Sequence, residues 1–370
     1  MNRKAFIAAG VLAIGAYVAF GLRVRADRAA RVAPPAGEIR GAYHVHTARS
    51  DGRGTLDDVV RAAKQAGLQF VVVTDHNLLA LDEQGYRDGV LVVEATEVST
   101  AFGHVVALGV PRALTAQERE EDPLGAICAL GGVAVVAHPF HPRRPFTGWD
   151  RGPWRGFEVV SNDTAWHSVV HDRAVGKAAL AALSLPWDSA RSVLTLSDSP
   201  DDELHRFDEE LRAAAARPGA PSPAKVLLCA ADAHGYPSYR AAFEAFSMHL
   251  PVVLTGDAER DVRAVVGALA GGTGTCVFDG EAPGRILRLA RGRKVGTLEA
   301  GPAALLRGAT SVLLRDGVVI PHVVVAGPNV ALTLGVGVIR CEDGCAAGNY
   351  RLELWRGGQP WIFTNPVSIE

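Results

Sequence analysis

Cysteine is scarce in this chain of 370 residues: there are five, an odd number, and no two form a CxxC pair. A complete disulfide framework and a CxxC metal site are therefore excluded. Cys128 and Cys229 lie in apolar runs and read as buried small residues. Cys276 has no obvious partner. Cys341 and Cys345 flank a Glu-Asp-Gly turn that would close a small disulfide loop if this end of the chain were exported. Basic charge is not in excess either. Lys and Arg number 38 against 40 Asp and Glu, a net charge of -2, so no dedicated nucleic-acid surface is evident.

The 48% hydrophobic content is explained in part by the amino terminus. From Ala5 to Leu22 no charged residue occurs. A run of about 18 residues at ~1.5 Å each extends ~27 Å, close to the hydrocarbon thickness of a bilayer. It is long for a signal-peptide core, and the arginines around Val24-Arg25-Ala26 make a poor cleavage site. The expectation is a single-pass membrane anchor over residues 1–36, tether included, with a cleaved signal as the alternative. Arg3 and Lys4 precede the run while Arg23, Arg25, Arg28 and Arg31 follow it, so the flanking charges leave the side of the membrane open.

Beyond residue 37 the chain repeats one pattern, an apolar β-type run ending in a residue able to bind a metal. The first is Gly41-Ala42-Tyr43-His44-Val45-His46, followed by Asp51. Side chains at i and i+2 of a strand share a face, which lets His44 and His46 bind one ion or a close pair. Phe70–Val73 leads to Asp75 and His76, Val90–Val93 to Glu94 and Glu97, Val133–Ala137 to His138, and Val226–Ala231 to Asp232 and His234. Such continuous apolar runs are the habit of parallel strands buried on both faces. A helix is expected after the first run, with Thr55 as N-cap, Asp57 and Asp58 in its first turn, and Gly67 at its end. In βα barrels functional groups collect at the carboxyl ends of the strands, where these residues fall.

The motifs HVHTARSDG at 44–52, TDHN at 74–77, EVST at 97–100, GHVVALG at 103–109, AHP at 137–139 and DAH at 232–234 closely resemble those of the polymerase and histidinol phosphatase (PHP) phosphoesterases. The resemblance runs from about residue 40 to about residue 260. It implies an α/β fold, a distorted (β/α)7 barrel with two or three divalent ions (Mn, Fe or Zn) at its carboxyl-end mouth. It also implies the ligands His44, His46, Asp51, His76, Glu97, His138, Asp232 and His234, with Glu97 bridging two ions. His104 belongs with them or is a structural histidine opening a strand. Eight or nine ligands exceed what one ion takes, which argues for a cluster.

The implied activity is hydrolysis of a phosphate ester by a metal-bridging hydroxide in a di- or trinuclear site. The substrate would be a phosphorylated small molecule or nucleotide. Arg143 and Arg144 are the best-placed cations for its phosphate, and Arg49 lies in the first metal loop; surface arginine is the alternative for each. His141 is a candidate for protonating the leaving group, or a loop residue. Asp75 would orient the imidazole of His76, or serve only as a turn residue. Trp149, Trp154 and Trp166 pack in the core or cover the site, and His167, His171 and His205 read as surface residues. Two other functions fit parts of the pattern. One is a metal-stabilised binding module without turnover, at the membrane. The other is a metal-dependent amidohydrolase, disfavoured because no lysine ends a candidate strand.

From 160 to 225 the repeat is interrupted by helical stretches such as Asp201–Leu211, followed by a loop over Arg217–Pro223. After about residue 270 short alternating runs, among them Ser311–Arg315, Val318–Ile320 and Tyr350–Trp355, read as an antiparallel β-sandwich. The expected organisation is an anchor over 1–36, the barrel over 37–270 and a small accessory domain over 271–370.

Overall fold

The computed structural model describes residues 3–26, 37–216, 225–282, 290–291, 297–300, 309–325, 337–341 and 346–369. The expected 217–223 loop, most of the amino-terminal tether and the Cys341/Cys345 turn lie outside them.

Helix α1 (Arg3–Ala26) contains a stretch, Phe6–Ala26, with a mean hydropathy of 1.9, long and apolar enough to cross a bilayer. A signal sequence has the same properties. Strand β1 (Ile39–Val45) then enters the interior, fully buried, and α2 (Leu56–Ala66) follows. The helix starts and stops where its sequence dictates. Thr55 and Asp58 form a reciprocal capping box, and Gly67 ends the helix at φ 74°, a conformation costly for a residue bearing a Cβ.

The remaining strands of the first half are β2 (Phe70–Val73), β3 (Gly85–Arg87), β4 (Val90–Glu94), β5 (Thr96–Thr100) and β6 (Gly103–Leu108). Two short helices, α3 (Ala116–Glu121) and α4 (Pro123–Ala129), lead to β7 (Val133–Val136) and β8 (Gly156–Ser161). Four helices come next: α5 (Asn162–His171), α6 (Val175–Ser184), α7 (Ser189–Leu196) and α8 (Asp201–Ala215). Then follow β9 (Val226–Ala233), α9 (Tyr239–Ala245), β10 (Ser247–Leu250), α10 (Ala258–Ala270) and β11 (Thr275–Val277).

Pairing runs β4–β2–β1–β9–β8–β7, all parallel, then β6 and β5 antiparallel. A parallel bridge between His76 and Glu97 joins the region after β2 to β5, so the pairings return on themselves. The core inside this mixed α/β arrangement is built from the apolar runs, with Phe70, Val72, Leu91, Val106, Val135 and Phe157 each fully buried. At Gly156 a Cβ would lie 2.0 Å from the carbonyl oxygen of Val226. Glycine is therefore what allows β8 to approach β9 there.

The chain after residue 270 contributes antiparallel strands: β12 (Ala290–Arg291), β13 (Thr297–Ala300), β14 (Ala309–Arg315), β15 (Val318–Ile320), β16 (His322–Val325), β17 (Gly337–Cys341), β18 (Gly348–Arg356), β19 (Gln359–Thr364) and β20 (Val367–Ile369). They fall into two groups. β12, β13, β17 and β16 form a sheet of four, whereas β15–β14–β18–β19 continue through β11 and β10 into β1. Sheet pairing thus crosses residue 270 without a break. Arg351, fully buried on β18, donates to Asp208 on α8 from Nε at 3.0 Å and from Nη2 at 2.8 and 2.9 Å.

Two cysteine expectations are corrected. Cys276 does have a partner: it forms a disulfide with Cys229, across a Cα–Cα distance of 5.6 Å. The two are 47 residues apart in sequence and meet only because β10 and β1 bring β11 beside β9. Cys128, expected to be buried, is exposed, because it lies on the outer side of the short helix α4 whose buried residues are Pro123, Leu124 and Ile127.

Candidate metal centre

Every ligand candidate sits at one edge of the strands. His44 and His46 are at the end of β1, His76 follows β2, Glu97 is on β5, His138 follows β7, and Asp232 is near the end of β9. His104 reaches the same edge by the opposite logic. β6 runs antiparallel to β7, so its amino end lies beside the carboxyl end of β7, and Ala137 N donates to His104 O at 3.1 Å.

Local backbone strain helps aim these residues. His44, His138 and Asp232 adopt φ values of 66°, 27° and 40°, in a region that side chains with a Cβ rarely occupy. At His44 the register of β1 shifts against both neighbours. The pair His44/His46 therefore converges through an irregularity as well as through the i, i+2 alternation expected of a flat strand.

The convergence is tight. Nε2 of His44 and Nε2 of His46 lie 3.0 Å apart. Each is also 3.3 or 3.2 Å from Glu97 Oε2 and 3.6 Å from Asp232 Oδ1. His76 Nδ1 approaches the same Glu97 oxygen at 3.2 Å, while its Nε2 is 3.3 Å from Asp51 Oδ2. Asp51 Oδ1 lies 3.4 Å from both His46 Nδ1 and His234 Nε2. On the other side, Glu97 Oε1 is 2.8 Å from His104 Nδ1 and 2.9 Å from His138 Nε2. All nine residues expected as ligands are thus brought together, with the two oxygens of Glu97 facing opposite groups of imidazoles.

These separations suit a cation better than they suit hydrogen bonding among the residues. A first-row ion with ligands at about 2.0–2.2 Å sets neighbouring donor atoms about 3.0–3.5 Å apart. Two imidazole nitrogens at 3.0 Å with a carboxylate oxygen equidistant from both have that spacing. His138 Nδ1 and His76 Nδ1 are buried without a hydrogen-bond partner. The donor set, imidazole mixed with carboxylate, is one that Mn, Fe or Zn accepts.

Electrostatics point the same way. Burial opposes a charge on His44, but Glu158, Asp232 and Glu97 outweigh it and raise its pKa well above the usual value. His138 and His234 are likewise raised to about 9, against burial, by Glu97 and by Asp51 with Asp232 respectively. Glu97 and Asp232 are held below the carboxylate range despite burial, chiefly by His44. Only His46 is lowered, by burial first. Ligand sets of this kind hold protons where a divalent ion would otherwise supply the positive charge.

One carboxylate was not legible as part of the site. Glu158, in the middle of β8 and 1% exposed, accepts from His44 Nδ1 at 2.7 Å with Oε1 and from the backbone N–H of His138 at 2.8 Å with Oε2. It fixes the tautomer of His44 with Nε2 free to ligate. The only signal in the sequence is a glutamate inside an apolar run, Gly156-Phe157-Glu158-Val159-Val160. Ser161, at the end of the same strand, donates to Asp232 Oδ2 at 2.8 Å.

The residues lining the approach differ in part from expectation. A cavity of about 370 Å³ opens over Asp51, His76, Glu97, His104, His138 and His234, and its wall includes Arg143, Arg144, His141 and Trp166. Arg53 and His167 join them. His167 had read as a surface residue, yet its Nδ1 lies 3.1 Å from Asp163 Oδ2, the atom that His141 Nε2 meets at 3.2 Å. Arg49 is not at the wall; its guanidinium turns to Glu83 and Glu94. Asp75 does not orient His76 but accepts from Thr47 N, Thr47 Oγ1 and Ser50 Oγ, holding the 47–52 loop. Trp149 and Trp154 pack with each other and with Phe157. His171 and His205 are exposed as expected.

Residues 42–167 match the model of the PHP domain family. The uncharacterized protein MJ1587 of Methanocaldococcus jannaschii is 29% identical over 93 residues, 23% of this chain and 52% of that protein. The chain thus spans about half the length of the curated relative it matches. Among solved structures, it resembles a two-domain protein from Bacteroides vulgatus containing a predicted PHP-like metal-dependent phosphoesterase, with 12% identity, 92% and 99% of the two chains covered, and a TM-score of 0.39. An amidohydrolase from Chromobacterium violaceum, crystallised with sulfate and no metal, matches at 18% identity over 36% of this chain and 84% of that one, with a TM-score of 0.27.

Proposed function

We propose that this chain, whose residues 42–167 match the PHP domain family model, is a metal-dependent phosphoesterase whose ions are held by His44, His46, Asp51, His76, Glu97, His104, His138, Asp232 and His234. The observation that carries this reading is Glu97. It is 1% exposed, and each of its oxygens lies within 3.3 Å of at least two imidazole nitrogens, the arrangement of a carboxylate shared between two ions. Bound Mn, Fe or Zn ions would supply an acidified water and counter-charge for the phosphoryl oxygens. Two or three such ions match the number of donors.

The chain's own residues supply the rest. Glu158 holds the ring of His44, and Ser161 holds Asp232. Arg143, Arg144 and Arg53, at the cavity wall, provide positive charge for a phosphate. The N–H groups of Arg143 and Arg144 both donate to His141 Nδ1 at 3.2 Å. His141 Nε2 therefore carries the proton and points at Asp163, 3.2 Å away. That proton, at the edge of the cavity, is the one proposed to reach the leaving oxygen. In this reading residues 37–270 are the catalytic unit and 271–370 an accessory one, and the substrate is a phosphorylated small molecule or nucleotide.

The test is metal content by mass spectrometry on the full chain in mild detergent, with phosphatase assays before and after chelation. Two or three ions per chain and Mn-restored hydrolysis, both lost in Glu97→Ala and His138→Ala, are the expected results. Protein without metal, or metal-loaded protein inert toward every phosphate ester, overturns the reading.

A further inference from the structure

The exposed apolar side chains of the described residues are not scattered. Apart from α1, the densest group runs from the end of α5 through α6 to the start of α7: Val170, Val175, Leu180, Leu183 and Leu185, between 46% and 75% exposed. Between Val175 and Trp187 the one charge is Lys177, which is drawn aside to Asp198. An apolar stretch this continuous on a soluble surface signals a contact.

What covers it is indicated by α1. The hydroxyl of Tyr17 donates to the carbonyl of Leu183 at 3.3 Å, and its ring meets that of Trp187 edge-on at 5.6 Å. Gly21 lies so close to the indole that a Cβ there would be 2.0 Å from Trp187. Yet only 6% of the α1 span is buried, so α1 does not cover the patch; it extends it. Tyr17 and Gly21 stand five and one residues before Leu22, where the uncharged run ends ahead of Arg23 and Arg25. At ~1.5 Å per residue that is ~8 and ~2 Å below the charged end of the span. If α1 crosses a bilayer, Leu183 and Trp187 are level with its interfacial zone. Apolar faces of membrane-lying helices sink about 5–10 Å, and Trp favours that depth.

We infer that the α5–α6 edge is a bilayer-contacting surface, continuous with α1, which seats the domain with its cavity next to the lipid headgroups. The link to the cavity is α5 itself. Asp163, Trp166 and His167 line the cavity, and Val170, exposed, is one helical turn beyond His167. The cavity wall and the apolar edge are two ends of one short helix. Trp166 also meets Tyr236, 61% exposed, at the rim. The substrate class this placement favours is a phosphate ester carried on a lipid; that consequence rests on the phosphoesterase reading, whereas the surface itself does not.

The full chain, reconstituted in phosphatidylcholine–phosphatidylglycerol vesicles, carries an environment-sensitive fluorophore at Leu183→Cys in a background of Cys128→Ser, Cys341→Ser and Cys345→Ser. The control label is His205→Cys on α8. The expected result is a blue-shifted Leu183 label quenched by lipids bearing a nitroxide near the headgroup, with the His205 label quenched only by aqueous iodide. Equal iodide quenching at both positions overturns the contact. So does a Leu183 label shielded by a second copy, seen as copper-induced disulfide cross-linking of the unlabelled Leu183→Cys protein and a dimeric mass in detergent. A second arm compares a diacylglycerol phosphate in the vesicles with soluble p-nitrophenyl phosphate. The triple variant Val175→Asp, Leu180→Asp, Leu183→Asp should lose about tenfold or more on the lipid ester and keep its rate on the soluble one. Equal rates on both substrates in variant and wild type refute the lipid-ester consequence. A wild type that hydrolyses neither ester counts against the phosphoesterase reading, and the labels still decide the surface.

Discussion

Replacing Glu158 by glutamine tests whether the site is organised as its geometry says. Glu158 serves two donors at once: the imidazole of His44 through Oε1 and the backbone N–H of His138 through Oε2. A carboxylate can accept from both, whereas an amide offers one acceptor and one donor. Glu158→Gln, almost identical in shape, therefore turns one of the two contacts into two facing donors. If His138 N keeps the acceptor, His44 must flip its proton to Nε2, the atom that faces His46 and Glu97, and it can no longer ligate. Loss of such an orienting partner costs about 10–100-fold in metal affinity, equivalent to about 1.4–2.7 kcal/mol. Leaving a buried donor unsatisfied costs about 1–3 kcal/mol of stability. The assay is competition for Mn or Zn against a chromophoric chelator, with denaturant unfolding of the metal-free protein alongside. A variant that keeps wild-type metal affinity, and loses none of it with Glu158→Leu either, would refute the assignment of Glu158 as the residue that sets the His44 tautomer.

Three further outcomes follow from other residues. With His138 and His234 raised to about 9, the metal-free site holds protons at neutral pH, so metal loading at about pH 7 should release more than one proton per chain and affinity should fall on acidification; calorimetry in buffers of different ionisation enthalpy measures this, and no proton release contradicts it. His249 is buried between Glu38 at 2.6 Å and Asp279 at 3.2 Å, and despite burial Asp279 and Glu38 raise it from 6.5 to about 9. Because the folded pKa is the higher one, its stabilisation, on the order of 3 kcal/mol, is present below about pH 6.5 and is lost as pH rises through 9. Urea unfolding of wild type and His249→Gln should therefore differ most at the acid end of that window and converge above it. Finally, Arg351→Met leaves Asp208, held by three contacts to the guanidinium, uncompensated and largely buried. A loss of about 3–5 kcal/mol is expected, and a loss under about 1 kcal/mol would show that α8 and β18 are not tied by this pair.

The local pieces of this protein were determined by the sequence alone. Apolar runs such as Phe70–Val73 declare buried strands, because two covered faces leave no room for polar alternation. The capping box at Thr55 and the glycine at 67 mark the ends of α2 through purely local hydrogen bonding. Most of the metal-ligand candidates were legible because they stand at or just past the end of such a run, and the order of the motifs carried the family resemblance. Tertiary structure decided what depends on residues distant in the chain. Glu158 is 114 residues from His44, so nothing in its neighbours announces that the two meet. Cys229 and Cys276 find each other only through strands β10 and β1 lying between β11 and β9. Arg49 and Asp75, correctly located in the first loops, are turned to other partners, Glu83 with Glu94 and Thr47 with Ser50, because direction depends on what surrounds a side chain. His167 lies in the wall of the cavity because α5 packs against β9 there. Period and composition report a residue's own element; which elements meet is set by the packing of all of them at once.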